Sequence, residues 1–222
     1  TTRSTTHRLA SCLVDERYLR VVPQVGYLLG PKLIELGFQA REELPLVTLA
    51  IPYLDELSAL TGDTIHLAIR EFDDVLYLHK NPGRNGPEMR SRVGHRMPLA
   101  RTGIGKALLL DDSQEEWQRL YQVSLPVGGK NLHWPQHPEQ SWEQFEQRMR
   151  EYVAGGYAFD LEDNEPSIRC VAAPVRDASR RIVAGISIAS TVPYMPLEKM
   201  AELIPLVKQV AARLSAELGA KA

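Results

Sequence analysis

The apolar positions of this chain begin at a helical spacing. Leu9 and Leu13 lie four apart and share one face of a helix expected over residues 1–13, while Arg3, Ser4, Thr6, His7 and Arg8 fall mostly on other faces. The pattern then changes. Tyr18 to Val22 and Gly26 to Leu29 read as two short strands about a tight Pro23-Gln24-Val25 turn, so the opening is a helix followed by a β-wing. Gly30-Pro31 opens a further helix, Pro31 to Glu42, because proline is tolerated in a first helical turn where its missing N–H had no partner. Leu33, Ile34, Leu36 and Phe38 make its apolar surface.

A second body starts near Glu43. Leu46, Leu49, Ala50, Tyr53, Leu54, Leu57 and Leu60 form a helical stripe over 44–60, ended by Thr61-Gly62-Asp63. Strands are expected at Thr64–Arg70 and Val75–Lys80 with Asp73-Asp74 as the turn, and a third at Glu88–Val93 after a loop rich in proline and glycine. Helices follow at 104–110, at 113–123 behind the Ser113 cap, and from Ser141 to about Ala154, where Gly155-Gly156 ends the run. Residues 124–140 read as loop. Strands near 157–161, 168–176 and 181–189 precede a last helix over 196–218, whose apolar set includes Met200, Leu203, Val207, Val210 and Leu214. Together these elements predict an α/β (α+β) body with a mixed, mainly antiparallel sheet and flanking helices.

Composition narrows the function. With 222 residues, 44% hydrophobic and 24% charged, the chain has the make-up of an ordinary globular protein, and its net charge of −2 makes it no general polyanion binder. Locally, Arg3, Arg8, Arg17 and Arg20 outweigh Asp15 and Glu16 in the first twenty residues. Cys12 and Cys170 form no CxxC pair, which points to a reducing cytoplasm. No apolar run approaches the ~18 residues of a membrane span.

Candidate chemistry is sparse. Gly103 and Gly105 flank a helix start, where backbone N–H groups could hold a carboxylate; the alternative is a tight turn. Asp160 could accept ligand hydroxyls, although capping a turn is the favoured reading of the residue alone. Cys170 lies in an apolar strand and reads as a small buried residue before a nucleophile. Ser187 alternates with Ile186 and Ile188 and faces away from them. Arg90 and Arg92, two apart on the expected third strand, point the same way. His133 and His137 are four apart, but Trp134-Pro135 breaks any helix that would pair them on a metal. Nucleophile-elbow, H-E-x-x-H and Walker patterns do not occur. Neither a metal, a cofactor nor a catalytic set is therefore expected.

Four segments share a likeness. Arg3-Ser4-Thr5-Thr6-His7-Arg8-Leu9 resembles a recognition helix. Gly94-His95-Arg96-Met97-Pro98-Leu99 with Thr102-Gly103-Ile104-Gly105-Lys106-Ala107, then Gly156-Tyr157-Ala158 through Asp160 and Glu162-Asp163-Asn164-Glu165 to Ile168–Val175, and finally Ala184-Gly185-Ile186-Ser187-Ile188-Ala189, follow in order. In this the chain resembles IclR-type bacterial transcriptional regulators. The resemblance implies a partial winged helix-turn-helix over 1–29, a linker helix over 30–42 and a GAF-like effector-binding domain over 43–222, with the chain N-terminally truncated. It implies DNA contacts from Arg3, Ser4, Thr5, His7 and Arg8, residue types suited to phosphates and base edges. It implies an effector pocket lined by Met97, Gly103, Ile104, Asp160, Ile168, Cys170, Ser187 and Ala189. Ala189 lacks a hydroxyl that relatives often carry, so the effector implied is a small organic acid, with a sugar acid favoured over a short 2-oxo acid. Operator DNA, a homodimer or tetramer, a cytoplasmic location and control of a catabolic operon complete the expectation. The rivals are a GAF-like enzyme using Cys170, and an interaction module without a ligand, whose interior around Asp160 would be dry and packed.

Overall fold

A computed structural model describes residues 2–42, 45–125 and 140–220. The chain divides into two compact units, Thr1–Thr48 and Leu49–Ala222.

The first unit opens with α1, Arg3–Asp15, whose N-cap is Thr2; the Thr2 hydroxyl accepts from the Thr5 N–H. The strands β1 (Leu19–Val22) and β2 (Gly26–Leu29) pair antiparallel, with Gln24 and Gly26 at positive φ in the turn. Gly30 is the pivot of this unit. Its N–H donates to the Tyr18 carbonyl at 2.7 Å, and a Cβ there would lie 2.0 Å from the Arg17 carbonyl oxygen, so only glycine lets the hairpin close on the end of α1. The helix α2 (Lys32–Glu42) follows, and Glu35 on it is paired with Arg17 and Lys32.

In the second unit α3 (Pro45–Thr61, counted here from Leu49) leads to a six-stranded antiparallel sheet, ordered β5-β4-β3-β8-β7-β6. Its strands are β3 Thr64–Glu71, β4 Asp74–Asn81, β5 Arg96–Pro98, β6 Ala158–Leu161, β7 Ile168–Arg176 and β8 Ile182–Thr191. The last helix, α7 (Leu197–Glu217), packs on β7 and lies beside α3, tied to it by Arg213–Glu56 at 2.7 Å and Tyr53–Glu217 at 3.0 Å. Alternation along β7 turns Val171 and Ala173 away from Cys170 and Ala172, and Ala172 joins a core with α4 (Gly103–Leu108), α5 (Gln114–Ser124) and α6 (Trp142–Gly155). Ser141 and Gln144 form a capping box at the start of α6, and Gly156 ends it in the left-handed conformation.

The expected elements are all present but one. Residues 88–93 form no strand. The edge strand is instead Arg96–Pro98, paired with Asp74–Leu76, so Arg90 and Arg92 do not share a strand face. The backbone of 88–93 is used otherwise: the Met89 and Ser91 carbonyls accept from Lys80 Nζ at 2.7 and 2.9 Å. The β3–β4 turn is Phe72-Asp73, with Phe72 at φ 58, and Asp74 already pairs with Glu71. The loop expected over 124–140, with His133 and His137, falls almost wholly outside the described residues. Among the described residues no helix is long and apolar enough to cross a membrane, and no cluster of His, Cys, Asp and Glu has the make-up of a metal site.

Candidate functional site

Strand register brings the chemistry together. Asp160, Cys170, Ala189 and Thr64 are successive partners in one rung across β6, β7, β8 and β3. Ala158, Ala172, Ser187, His66 and Lys80 make the next rung, two residues along and therefore on the same face. Ile168 precedes Cys170 by two and shares that face. The helix α4 lies over it: a Cβ on Gly103 would meet Cys170 Sγ at 2.5 Å, and one on Gly185 would meet Ile104 Cγ1 at 2.9 Å. Five of the expected pocket residues, Asp160, Ile168, Cys170, Ser187 and Ala189, thus share one sheet face, and Gly103 and Ile104 are on the helix over it. Met97 sits further off, half-buried on the edge strand β5, where it packs against the α4–α6 core.

One expectation about this site changes. The glycines of α4 are not an open anion cradle. The Gly105 N–H is taken by the Thr102 hydroxyl at 3.0 Å, and the Gly103 N–H is directed at the Cys170 sulfur. The helix is short, and its glycines serve close packing: a Cβ on Gly105 would stand 2.2 Å from the Leu99 carbonyl oxygen. Asp160 caps a turn, as the residue alone suggests. Its Oδ1 accepts from the Asp163 N–H at 2.8 Å, and the Asn164 N–H also bonds the carboxyl.

Electrostatics separate the polar groups. Burial pushes the Asp160 carboxyl up to about 7, with Lys106 opposing and the Asp163 charge adding to the rise. Burial raises the Cys170 thiol to about 12, so it is scarcely ionised near neutrality and is a poor nucleophile. Burial, and then Lys80, lower His66 to about 3, which leaves a neutral imidazole. Its Nε2 lies 2.7 Å from Ser91 Oγ and its Nδ1 3.5 Å from Ser187 Oγ, so one ring joins strand β8 to the 88–93 segment.

Behind the Asp160 turn lies a buried ion network. Lys106, with 1% of its side chain exposed, contacts the Asp163 carboxylate and donates to the Phe159 carbonyl at 3.1 Å; Arg148 reaches Asp163 from the other side at 3.1 Å. Burial alone would lower the Lys106 pKa, but Asp163 and Asp160 raise it, and Lys106 in turn overcomes the burial of Asp163 and holds that carboxyl low. Neither His66 nor Lys106 stood out in the sequence. Lys106 could have, as a single charge inside Gly-Ile-Gly-Lys-Ala-Leu-Leu-Leu. His66 could not, since its partners are set by register.

In the first unit Arg3, Ser4, His7 and Arg8 are exposed along α1, with Arg3 and His7, and Ser4 and Arg8, each four apart. Thr5 is half-buried and its hydroxyl lies 2.8 Å from that of Thr2, which withdraws it from the exposed set.

Residues 38–216 match the family model described as bacterial transcriptional regulator IclR, C-terminal. The chain belongs to the IclR family. The HTH-type transcriptional regulator KdgR of Escherichia coli (strain K12) is 31% identical over 213 residues, covering 91% of this chain and 79% of that protein. XynR of the same strain, also an HTH-type transcriptional regulator, is 30% identical over 218 residues, covering 98% and 84%. The crystal structure of Thermotoga maritima IclR superposes with a TM-score of 0.76 at 25% identity, covering 99% of this chain and 87% of that one. An IclR-type regulator from Alicyclobacillus acidocaldarius gives 0.80 at 25% identity, with 97% and 85% covered. This IclR-family chain is therefore a transcriptional regulator by relationship, and its mixed α+β body with a curled antiparallel sheet and flanking helices is the family's own.

Proposed function

We propose that this IclR-family regulator controls a catabolic operon by binding operator DNA through Arg3, Ser4, His7 and Arg8 of α1, and that a small organic acid governs it from the sheet face under α4. The observation that carries the reading is the pair of adjacent rungs that set Asp160, Cys170, Ser187 and His66 on one sheet face. With strands ~4.8 Å apart and ~3.4 Å per residue, Asp160 and Ser187 stand roughly 12 Å apart at the backbone. A two- or three-carbon acid cannot reach both. A longer hydroxylated acid of sugar-acid type can, with Ser187 and His66 at one end and Cys170 and Ala172 of β7 along its length.

A thermal-shift screen of organic and sugar acids tests this. An acid at 100 times its Kd should stabilise the regulator by about 2.7 kcal/mol. A flat response across acids of two to six carbons would speak against an acid-responsive site. The raised Cys170 thiol gives the enzyme alternative no support.

Assembly belongs to the same proposal. Leu33, Ile34, Leu36 and Phe38 are exposed on α2, with Ile34 at 64% and Phe38 at 61%. Dimeric readers of palindromic operators are two-fold symmetric, and we place this face against a second copy. Light scattering at micromolar concentration should give at least a dimer, and a dimer of dimers fits equally; a monomer would refute the pairing.

A further inference from the structure

A cavity lies away from the sheet face, among the loop before α4, the end of α5, α6 and the β6–β7 turn. Its volume is about 400 Å³, within the range of small-molecule sites, and Arg101, Tyr121, Gln140, Phe145, Arg148 and Asp163 are among its lining. Its described lining carries two guanidiniums, of Arg101 and Arg148, and two carboxylates, of Glu162 and Asp163. Glu162 is matched by Arg169 at 3.0 Å. Asp163 is shared between Arg148 and Lys106, which leaves Arg101 with no carboxylate partner among the described residues. Arg101 spends its Nε and Nη1 on neutral acceptors, the carbonyls of Asp163 and Ser124 at 2.9 and 3.3 Å. A third donor adds to them: Gln140 Nε2 is buried and has no hydrogen-bond partner among the described residues. A buried donor without an acceptor is costly, and an acceptor in the cavity would answer it. The facing wall is apolar, with the Tyr121 and Phe145 rings 5.4 Å apart and Leu161 nearby.

We propose that this cavity binds a carboxylic acid with a flat apolar body, its carboxylate held by Arg101, Arg148 and Gln140 and its body against Tyr121 and Phe145. Guanidinium groups grip a planar carboxylate in two-point fashion, and the ring wall favours an aromatic acid over a compact, strongly hydrated oxyanion. The site is separate from the one proposed on the sheet face, but it communicates with it. Asp163 binds Arg148 through its carboxylate and Asp160 through its N–H, so an anion that draws Arg148 away disturbs the turn carrying Asp160.

Trp142 provides a reporter, its ring 5.7 Å from Tyr121 and 5.9 Å from Phe145. The intact chain is titrated with benzoate, acetate and inorganic phosphate, by tryptophan fluorescence and by calorimetry. Benzoate is expected to saturate at one per chain, at least tenfold tighter than acetate or phosphate. Arg101→Gln and Arg148→Gln should each weaken it tenfold or more. Gln140→Leu, which leaves the Asp163 network intact, should weaken it at least threefold, and Ser187→Ala should leave it unchanged. Tighter binding of phosphate would overturn the ligand class. Absence of saturable benzoate binding, or affinity untouched by Gln140→Leu and by whichever arginine variants keep the native melting temperature, would overturn the site. Loss in Ser187→Ala alone would assign the binding to the sheet face and likewise overturn it.

Discussion

Lys106→Met should destabilise the protein by about 3–5 kcal/mol, because it strips a buried carboxylate of its principal counter-ion while keeping the side chain's length. Lys106 is carried on α4 with 1% of its side chain exposed, and the Asp163 carboxylate it contacts is only 14% exposed. Arg148 remains, yet it is a third exposed and meets Asp163 at 3.1 Å. The cost therefore comes from the charge left behind, and a double variant checks that cause. Adding Asp163→Leu to Lys106→Met should recover part of the loss, since removing both members of a buried pair is far milder than removing one. Urea denaturation of the two variants reads the result. A loss under 1 kcal/mol for Lys106→Met would show that the network contributes little to the fold.

Asp160→Asn should stabilise the regulator most above pH 7, by less at pH 5, and little below pH 4. Burial is the leading cause that lifts this carboxyl to about 7 from an ordinary value of 3.8. A folded-state pKa raised in this way means that the native protein holds a proton the unfolded chain has released. The contribution is full below pH 4 and is lost as the pH rises through 7, at up to about 1.4 kcal/mol per unit in that window. Asparagine mimics the protonated acid in shape and keeps an acceptor for the Asp163 N–H, so it escapes that loss. Asp160→Ala removes the acceptor as well, leaves the turn's N–H groups without a partner, and should lower stability at pH 5 and pH 8 alike. Melting temperatures across pH 5–8 decide the matter. A wild-type-to-asparagine difference that does not change with pH would mean that Asp160 is ionised throughout.

The sequence made visible what depends on local spacing. The helix–wing–helix opening, the Ser113 and Ser141 caps, the Gly156 stop and the strands β3, β4, β6, β7 and β8 all follow from period, cap chemistry and turn residues. The third strand was misplaced because Glu88–Val93 alternates as a strand does, whereas Lys80 and His66 claim its carbonyls and the Ser91 hydroxyl from across the fold. No local rule foresees that competition. The Gly103–Gly105 segment shows the same limit. Its residue types suit an anion, but the Cys170 thiol and the Thr102 hydroxyl occupy the donors once α4 settles on the sheet. His66 was invisible for a related reason: it is opposite Ser187 only because β3 and β8 pair in one register. The family likeness named Asp160, Cys170 and Ser187, and the rungs explain why residues so far apart in sequence share a face.

The most direct measurement is calorimetric titration of an acid found in the screen against the wild type, Ser187→Ala and Ala189→Ser. The account predicts one acid bound per chain. It predicts a loss of about 0.5–1.5 kcal/mol in Ser187→Ala, where a neutral hydrogen bond disappears, and a shift toward smaller or more polar acids in Ala189→Ser, where a hydroxyl narrows the face. Affinity and preference unchanged in both variants, with the melting temperature retained, would place the effector away from the sheet face and contradict the account.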